Sequence, residues 1–188
     1  MEKTRNHSNP VSDFRPDLFA SEAKKALDGK NLPPVHLWNP DFCGDIDMRI
    51  RRDGSWDYMG TPITRIRMVK LFSTILRRDD NDFYLVTPVE KVRIKVDDAP
   101  FVAVEMDFDG DYIIFRTNVD DYIKVDKDHP IRVKTNIKTG EAKPYVTVRD
   151  NLEALLSRSV YYQLAELATE KNGQYCISSG GSIFSLDG

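Results

Sequence analysis

The sequence has only two cysteines and three histidines in 188 residues, and no long apolar run. Cys43 and Cys176 are too few and too far apart for a disulfide-stapled scaffold, and they suit a reducing compartment. Residues 1–13 are polar and lack the apolar core of a signal peptide, and no later stretch reaches the roughly 18 apolar residues that a membrane span requires. A cytoplasmic protein with no membrane span is therefore expected. Excess positive charge is missing too, since 27 Lys and Arg stand against 30 Asp and Glu, and bulk nucleic-acid binding is not favoured.

The usual motifs of catalysis and metal binding are also absent. His7, His36 and His129 are scattered without ligand spacing. The run Asp107-Phe108-Asp109-Gly110-Asp111 resembles a calcium loop, but its glycine comes too early and Asn118 stands where the closing Glu belongs, so a β-turn is expected. Gly180-Gly181-Ser182 lacks the lysine of a phosphate loop, and no Gly-x-Ser-x-Gly elbow occurs. Cys43 reads as a small apolar residue more readily than as a reactive thiol. No cofactor and no metal are expected.

What is present is the composition of a globular protein, 40% hydrophobic, 10% aromatic and 30% charged, enough for one domain or two small packed ones. Residues 41–78 are net positive and residues 79–130 strongly negative, the acids falling where turns between strands are expected. Pro16-Asp17 opens an amphipathic helix over 17–28, closed by Gly29. An extended linker through Pro33-Pro34 follows, ending at Trp38. Alternation at Ile46, Met48 and Ile50 gives a strand with Asp45, Asp47, Arg49 and Arg51 on its other face, and Asp53-Gly54 turns it back through Trp56 and Tyr58. Thr61 and Pro62 read as the start of a helix whose apolar face carries Met68, Val69, Leu71, Phe72, Ile75 and Leu76. Strands over 83–86 and 89–96 complete this part.

Residues 101–125 read as an antiparallel meander. Residues 131–186 then repeat the earlier order: a hairpin turning at Thr139-Gly140, a helix opened by Asp150-Asn151-Leu152-Glu153 with capping-box spacing, and a last hairpin at Ser179-Gly180-Gly181. The fold class is α+β, with duplicated hairpin-helix-hairpin units and antiparallel sheets. The expected organisation is an arm with a short helix over 1–34, a first repeat over 35–98 and a second domain over 99–188.

Gly44-Asp45-Ile46-Asp47-Met48-Arg49-Ile50, Asp53-Gly54-x-Trp56-x-Tyr58-x-Gly60-x-Pro62-Ile63, Met68-Val69-Lys70-Leu71-Phe72-Ser73, Tyr84-Leu85-Val86-Thr87-Pro88-Val89-Glu90-Lys91 and Asp98-Ala99-Pro100-Phe101 closely resemble the bacterial domain of unknown function 1285 family, from about Pro33 to the C-terminus. The resemblance implies a duplicated core whose second half is superficially like a pleckstrin-homology domain. It also implies a nucleotide-type ligand between the halves and a role in signal transduction with a protein partner.

The residues themselves offer materials for such a site. Trp38, Trp56 and Tyr58 supply flat rings, and Arg49 a forked donor for phosphate. Arg65 falls on the apolar helix face, where a buried guanidinium needs a carboxylate, an anionic ligand, or a helix that starts later. Glu90 and Lys91, after Thr87-Pro88, place a charged pair at the expected domain junction. The favoured reading is a non-enzymatic module binding a small anionic, nucleotide-type ligand. The alternatives are an enzyme using Asp45 and Asp47 as acid, base or metal ligands, and a protein-interaction adaptor.

Overall fold

The computed structural model describes residues 14–27 and 32–187. The expected helix end at Gly29 and the polar residues 1–13 lie outside the described residues. The chain divides into two units, one running up to Arg51 and from Ser55 to Asp97, the other holding Arg52–Gly54 and everything from Asp98 on.

The first unit opens with helix α1 (Pro16–Ala26), which has Pro16 at its first turn, as a residue without an amide proton prefers. A single 3-10 turn at Val35–Leu37 replaces part of the expected linker. Strand β1 (Phe42–Ile50) shows the expected alternation, with Ile46, Met48 and Ile50 buried. It turns into β2 (Trp56–Tyr58). The segment Thr61–Pro62, expected to start a helix, instead forms strand β3 against Tyr58 and Asp57. Pro62 lies on the sheet edge, where a missing donor leaves no ladder bond unmade. Helix α2 therefore starts later and is shorter, Ile66–Thr74.

Residues Leu76–Asp79, expected to prolong that helix, form strand β4, which pairs with β5 (Asp82–Val86). Strand β6 (Lys91–Val96) pairs with β5 and, in parallel, with β1. The sheet order is β3-β2-β1-β6-β5-β4. One sheet face carries Met48, Ile50, Trp56, Leu85 and Val92, all buried, and the helices add Phe19, Val69 and Phe72 to this core. Phe72 touches both Trp56 and Phe19, with ring centroids 6.3 Å apart in each pair. The expected arm helix is thus part of the first core: burying Phe19 and Ala23 removes from water side chains that no free helix could shelter.

The second unit starts with β7 (Phe101–Asp109), β8 (Tyr112–Thr117) and β9 (Tyr122–Lys124), the expected meander. Strands β10 (Ile131–Thr135) and β11 (Ala142–Arg149) form the hairpin expected at Thr139-Gly140. The helix expected from Leu152 does not start there. Leu152–Leu156 is strand β12, with Leu152, Ala154 and Leu156 buried at period two, and helix α3 (Arg158–Glu166) follows, capped by the Ser157 hydroxyl on the Val160 amide. Its helix-forming composition yields to burial across two strand neighbours, β11 and β7. Strands β13 (Thr169–Lys171), β14 (Gln174–Ser179) and β15 (Ser182–Ser185) make a small separate sheet.

The large sheet of this unit has the order β10-β11-β12-β7-β8-β9. Both six-stranded sheets are therefore built alike. Two antiparallel three-stranded meanders are joined by one parallel pair between first and last strand, β1 with β6 and β7 with β12. Duplication is present in a different phase from the expected one. The counterpart of β1–β6 is β7–β12, and the alignment onto residues 131–186 fails because those strands are divided between two sheets. The helices caused the slip, since α2 lies between the meanders of its sheet whereas α3 follows a complete one.

Candidate functional site

The residues singled out from the sequence are distributed over several places. Asp45 stands opposite Arg93 across the β1–β6 pair and accepts hydrogen bonds from two guanidinium nitrogens, Nε and Nη2, at 2.7 and 2.8 Å. The bond from Asp45 holds Arg93 more firmly protonated than usual, against the opposing effect of its burial. A carboxylate held bidentately has its lone pairs engaged, which suits a structural pair better than a general base. Asp47 is exposed two residues on. Arg49 binds Asp97 at 2.7 Å, and this hydrogen bond raises its pKa. Among the described residues no group of three or more His, Cys, Asp and Glu side chains is arranged to hold a metal ion.

The aromatic candidates are structural in their surroundings. Trp56 is 1% exposed and packs on Phe72. The Tyr58 hydroxyl donates to the Phe14 carbonyl at 3.1 Å, and its ring meets the Phe14 ring edge-on. Trp38 is half-buried, and its carbonyl accepts from Arg77 at 2.6 Å. Arg77 also reaches the Val35 carbonyl, so this side chain fastens the 3-10 turn to edge strand β4. Glu90 closes a turn through its backbone, donating to the Thr87 hydroxyl and accepting from the Thr87 amide. Lys91 does not pair with Glu90. It binds Asp79 at 2.7 Å and lies over the Tyr84 ring. Burial of Asp79 opposes ionisation, but bonds from Lys91 and Arg77 outweigh it and lower its pKa.

Of the candidates, Asp45 lines a cavity of about 350 Å³ together with its partner Arg93, and Arg65 lines another. Arg65 is exposed at the N-cap position of α2, where its carbonyl accepts from Met68 and Val69, and it is not on a buried helix face. The expected burial disappears because the helix starts at Ile66. The Arg65 cavity, about 610 Å³, lies between α1 and the start of α2 and is lined by Ala20, Ser21 and Lys24 on one side and Arg65, Ile66 and Met68 on the other. Asp17, Thr64, Arg67 and Leu71 complete it. The lining is predominantly apolar with three cations and one acid, and none of these four charged side chains makes an ion pair among the described residues. Sequence reasoning put Met68 on the apolar face of its helix and singled out neither Lys24 nor Arg67. The available signal was Ala20, Ser21 and Lys24 falling on one face of α1 beside the buried Phe19 and Ala23.

A second cleft, in the other unit, is lined by Arg52, Lys143, Arg158, Tyr161 and Tyr162 with Pro144 and Leu155 beneath. Two of its cations are engaged, Arg52 with Asp98 and Lys143 with Asp98 at 3.1 Å.

Two family models match the chain. Residues 33–99 match the N-terminal domain described as a domain of unknown function (DUF1285), and residues 100–186 match the C-terminal domain of a protein of unknown function (DUF1285). No curated protein matches. The chain is similar to the crystal structure of a DUF1285 family protein from Silicibacter pomeroyi DSS-3, at 50% identity and a TM-score of 0.82, over 90% of this chain and 94% of that one. It is also similar to a DUF1285 family protein from Shewanella baltica OS155, at 29% identity and a TM-score of 0.53, over 63% of this chain and 90% of that one. With both sheets covered by their own family models and half the residues shared with a solved member over nearly the whole length, the chain belongs to the DUF1285 family.

Proposed function

We propose that this chain is a non-enzymatic binding module that holds a small anionic ligand in the α1–α2 groove of its first unit and takes part in signal transduction through a protein partner. The observation that carries the reading is the charge of the groove. Lys24, Arg65 and Arg67 face a concave, largely apolar surface; among the described residues Asp17 is the one acid lining it, and none of the three cations has an ion-pair partner. An anion would supply the missing countercharge, and apolar walls would strengthen that attraction by excluding water. Among the described residues no imidazole or thiol lines the groove, so its side chains suit holding an anion better than transferring a proton at neutral pH.

A second half resembling a pleckstrin-homology domain belongs to the same proposal, supported by the β7–β12 sheet and the packing of α3 on β7. So does a cytoplasmic location, supported by two free thiols. Among the described residues, no helix is long and apolar enough to cross a membrane.

The test is thermal unfolding of the whole chain with inorganic phosphate, AMP, citrate and decanoate. At least one anion should raise the Tm in a concentration-dependent way, with a stabilisation of about 2.7 kcal/mol at a hundred times its Kd. The double variant Arg65→Gln/Arg67→Gln should melt like wild type alone and lose that response. A wild type that responds to none of the four, or a double variant that responds equally, would overturn the reading.

A further inference from the structure

We infer that the ligand of the α1–α2 groove is an aliphatic anion, an unbranched apolar chain ending in one carboxylate or phosphate head, and not a nucleotide. This rests on the proposed function above and specifies its ligand. The first argument is which side chains line the groove. Ala20, Ile66, Met68 and Leu71 offer aliphatic surface, and among the described residues no aromatic ring lines the groove. A nucleobase held in a protein groove gains much of its affinity by stacking on a ring. The rings nearest in sequence are committed elsewhere: Trp56 is covered in the core, Tyr58 packs on Phe14, and Phe19 packs on Phe14 and Phe72.

The second argument is shape. The groove follows one face of α1 from Asp17 to Lys24, seven residues, or about 10 Å of helix. A groove of that length takes an extended chain lying along the helix. Met68 is the lining side chain best able to adjust to such a chain, being unbranched and polarizable. Ile66, 52% exposed on the first turn of α2, would gain cover from a chain in the groove.

The third argument is charge. Arg65 and Arg67 present forked donors that match a carboxylate or a phosphate equally well, so the head group is defined as a class and not as one of the two.

Isothermal titration of the full chain tests the inference with octanoate, decanoate and dodecanoate below their micelle concentrations, and with decyl phosphate, decanol, AMP and inorganic phosphate. Affinity should tighten roughly tenfold for every two methylenes added. Decanoate and decyl phosphate should both bind, decanol at least tenfold more weakly, and AMP and phosphate not measurably. Arg65→Gln/Arg67→Gln should lower decanoate affinity to the level of decanol, and Met68→Glu should abolish binding of the chain without a fall in Tm. Binding of AMP without decanoate would overturn this inference and leave the anion-binding reading standing. Absence of binding by every anion would overturn both. Equal binding of decanol and decanoate, or an unchanged double variant, would overturn the assignment of Arg65 and Arg67 to the head group.

Discussion

At Gly180 the backbone is left-handed, with φ at +52°, and a β-carbon built there would stand 2.1 Å from the Tyr112 ring. The same ring is held by Lys124, 3.9 Å from its centroid, so it cannot swing aside without losing that contact. Gly180→Ala should therefore cost about 2–3 kcal/mol in urea unfolding, combining left-handed strain with a displaced ring. Gly173, at φ +78° with open space around it, provides the control. Gly173→Ala should cost only about 1 kcal/mol, and equal losses at the two positions would show that the ring contributes nothing. Arg65 makes the opposite case. On a buried helix face its removal would strand a carboxylate, whereas the exposed residue observed, without an ion-pair partner among the described residues, should tolerate Arg65→Ala within about 0.5 kcal/mol. Individual residues were legible in the sequence where alternation fixed them, as at Ile46, Met48 and Ile50. Arg65 was misread because its environment depended on a helix boundary four residues away, and Lys24 was missed because the α1 face it shares with Ala20 and Ser21 becomes a groove wall only once α2 stands opposite.

Among the elements, β12 separates local preference from tertiary demand. Leu152-Glu153-Ala154-Leu155-Leu156 favours a helix by composition, and Asp150 has the spacing of a cap. Its side of the chain is instead a turn, with Asp150 at φ +46°. Asp150→Gly should thus be neutral or stabilising by up to about 1 kcal/mol, the reverse of losing a cap, while Ser157→Ala should cost about 1 kcal/mol. Chemical denaturation of both variants decides the matter, and a large loss in Asp150→Gly would restore the helix. Period-two burial at Leu152, Ala154 and Leu156 was visible in the sequence but competed with an equally good period of 3.6, and only the neighbours β7 and β11 resolve such a tie.

The β11 strand also sets a pH dependence. Tyr145 donates to Asp98 at 2.6 Å, and Lys143 binds the same carboxylate. Burial opposes the charge on Asp98, but these bonds prevail and its pKa is lowered. Tyr145 is raised, by burial first and by Asp98 second. Asp98 therefore contributes stability above its unfolded value, about pH 4, and that contribution is lost as pH falls through its lower folded value. The contribution of Tyr145 is complete below about pH 10 and is lost as pH rises towards its higher folded value. Tyr145→Phe should flatten the alkaline limb of the stability profile. An alkaline limb identical in both proteins would exclude Tyr145 as its source.

For the whole molecule, the duplication was legible as an idea and misplaced in phase. Asp53-Gly54 recurs as Asp109-Gly110 between first and second strands, yet the two long apolar helices drew the alignment to residues 131–186. What no single sequence displays is that β1 meets β6, and β7 meets β12, across about 50 residues. Those long closures affect the order in which the parts form, because a sheet joined by its first and last strands is complete only when the last has been made. The first sheet is complete at Val96. The second closes at Leu156, but its strand β8 and the residue after β9 also depend on Ser179, whose hydroxyl donates to the Val125 carbonyl at 2.6 Å and accepts from the Ile113 amide at 2.8 Å. On the ribosome the N-terminal sheet can thus assemble during synthesis, whereas the C-terminal one keeps an amide and a carbonyl without their native partner until Ser179 has emerged. A stop codon a few residues before Ser179 would release a chain with one finished sheet and one permanently open, a substrate for proteolysis and not a shorter working protein.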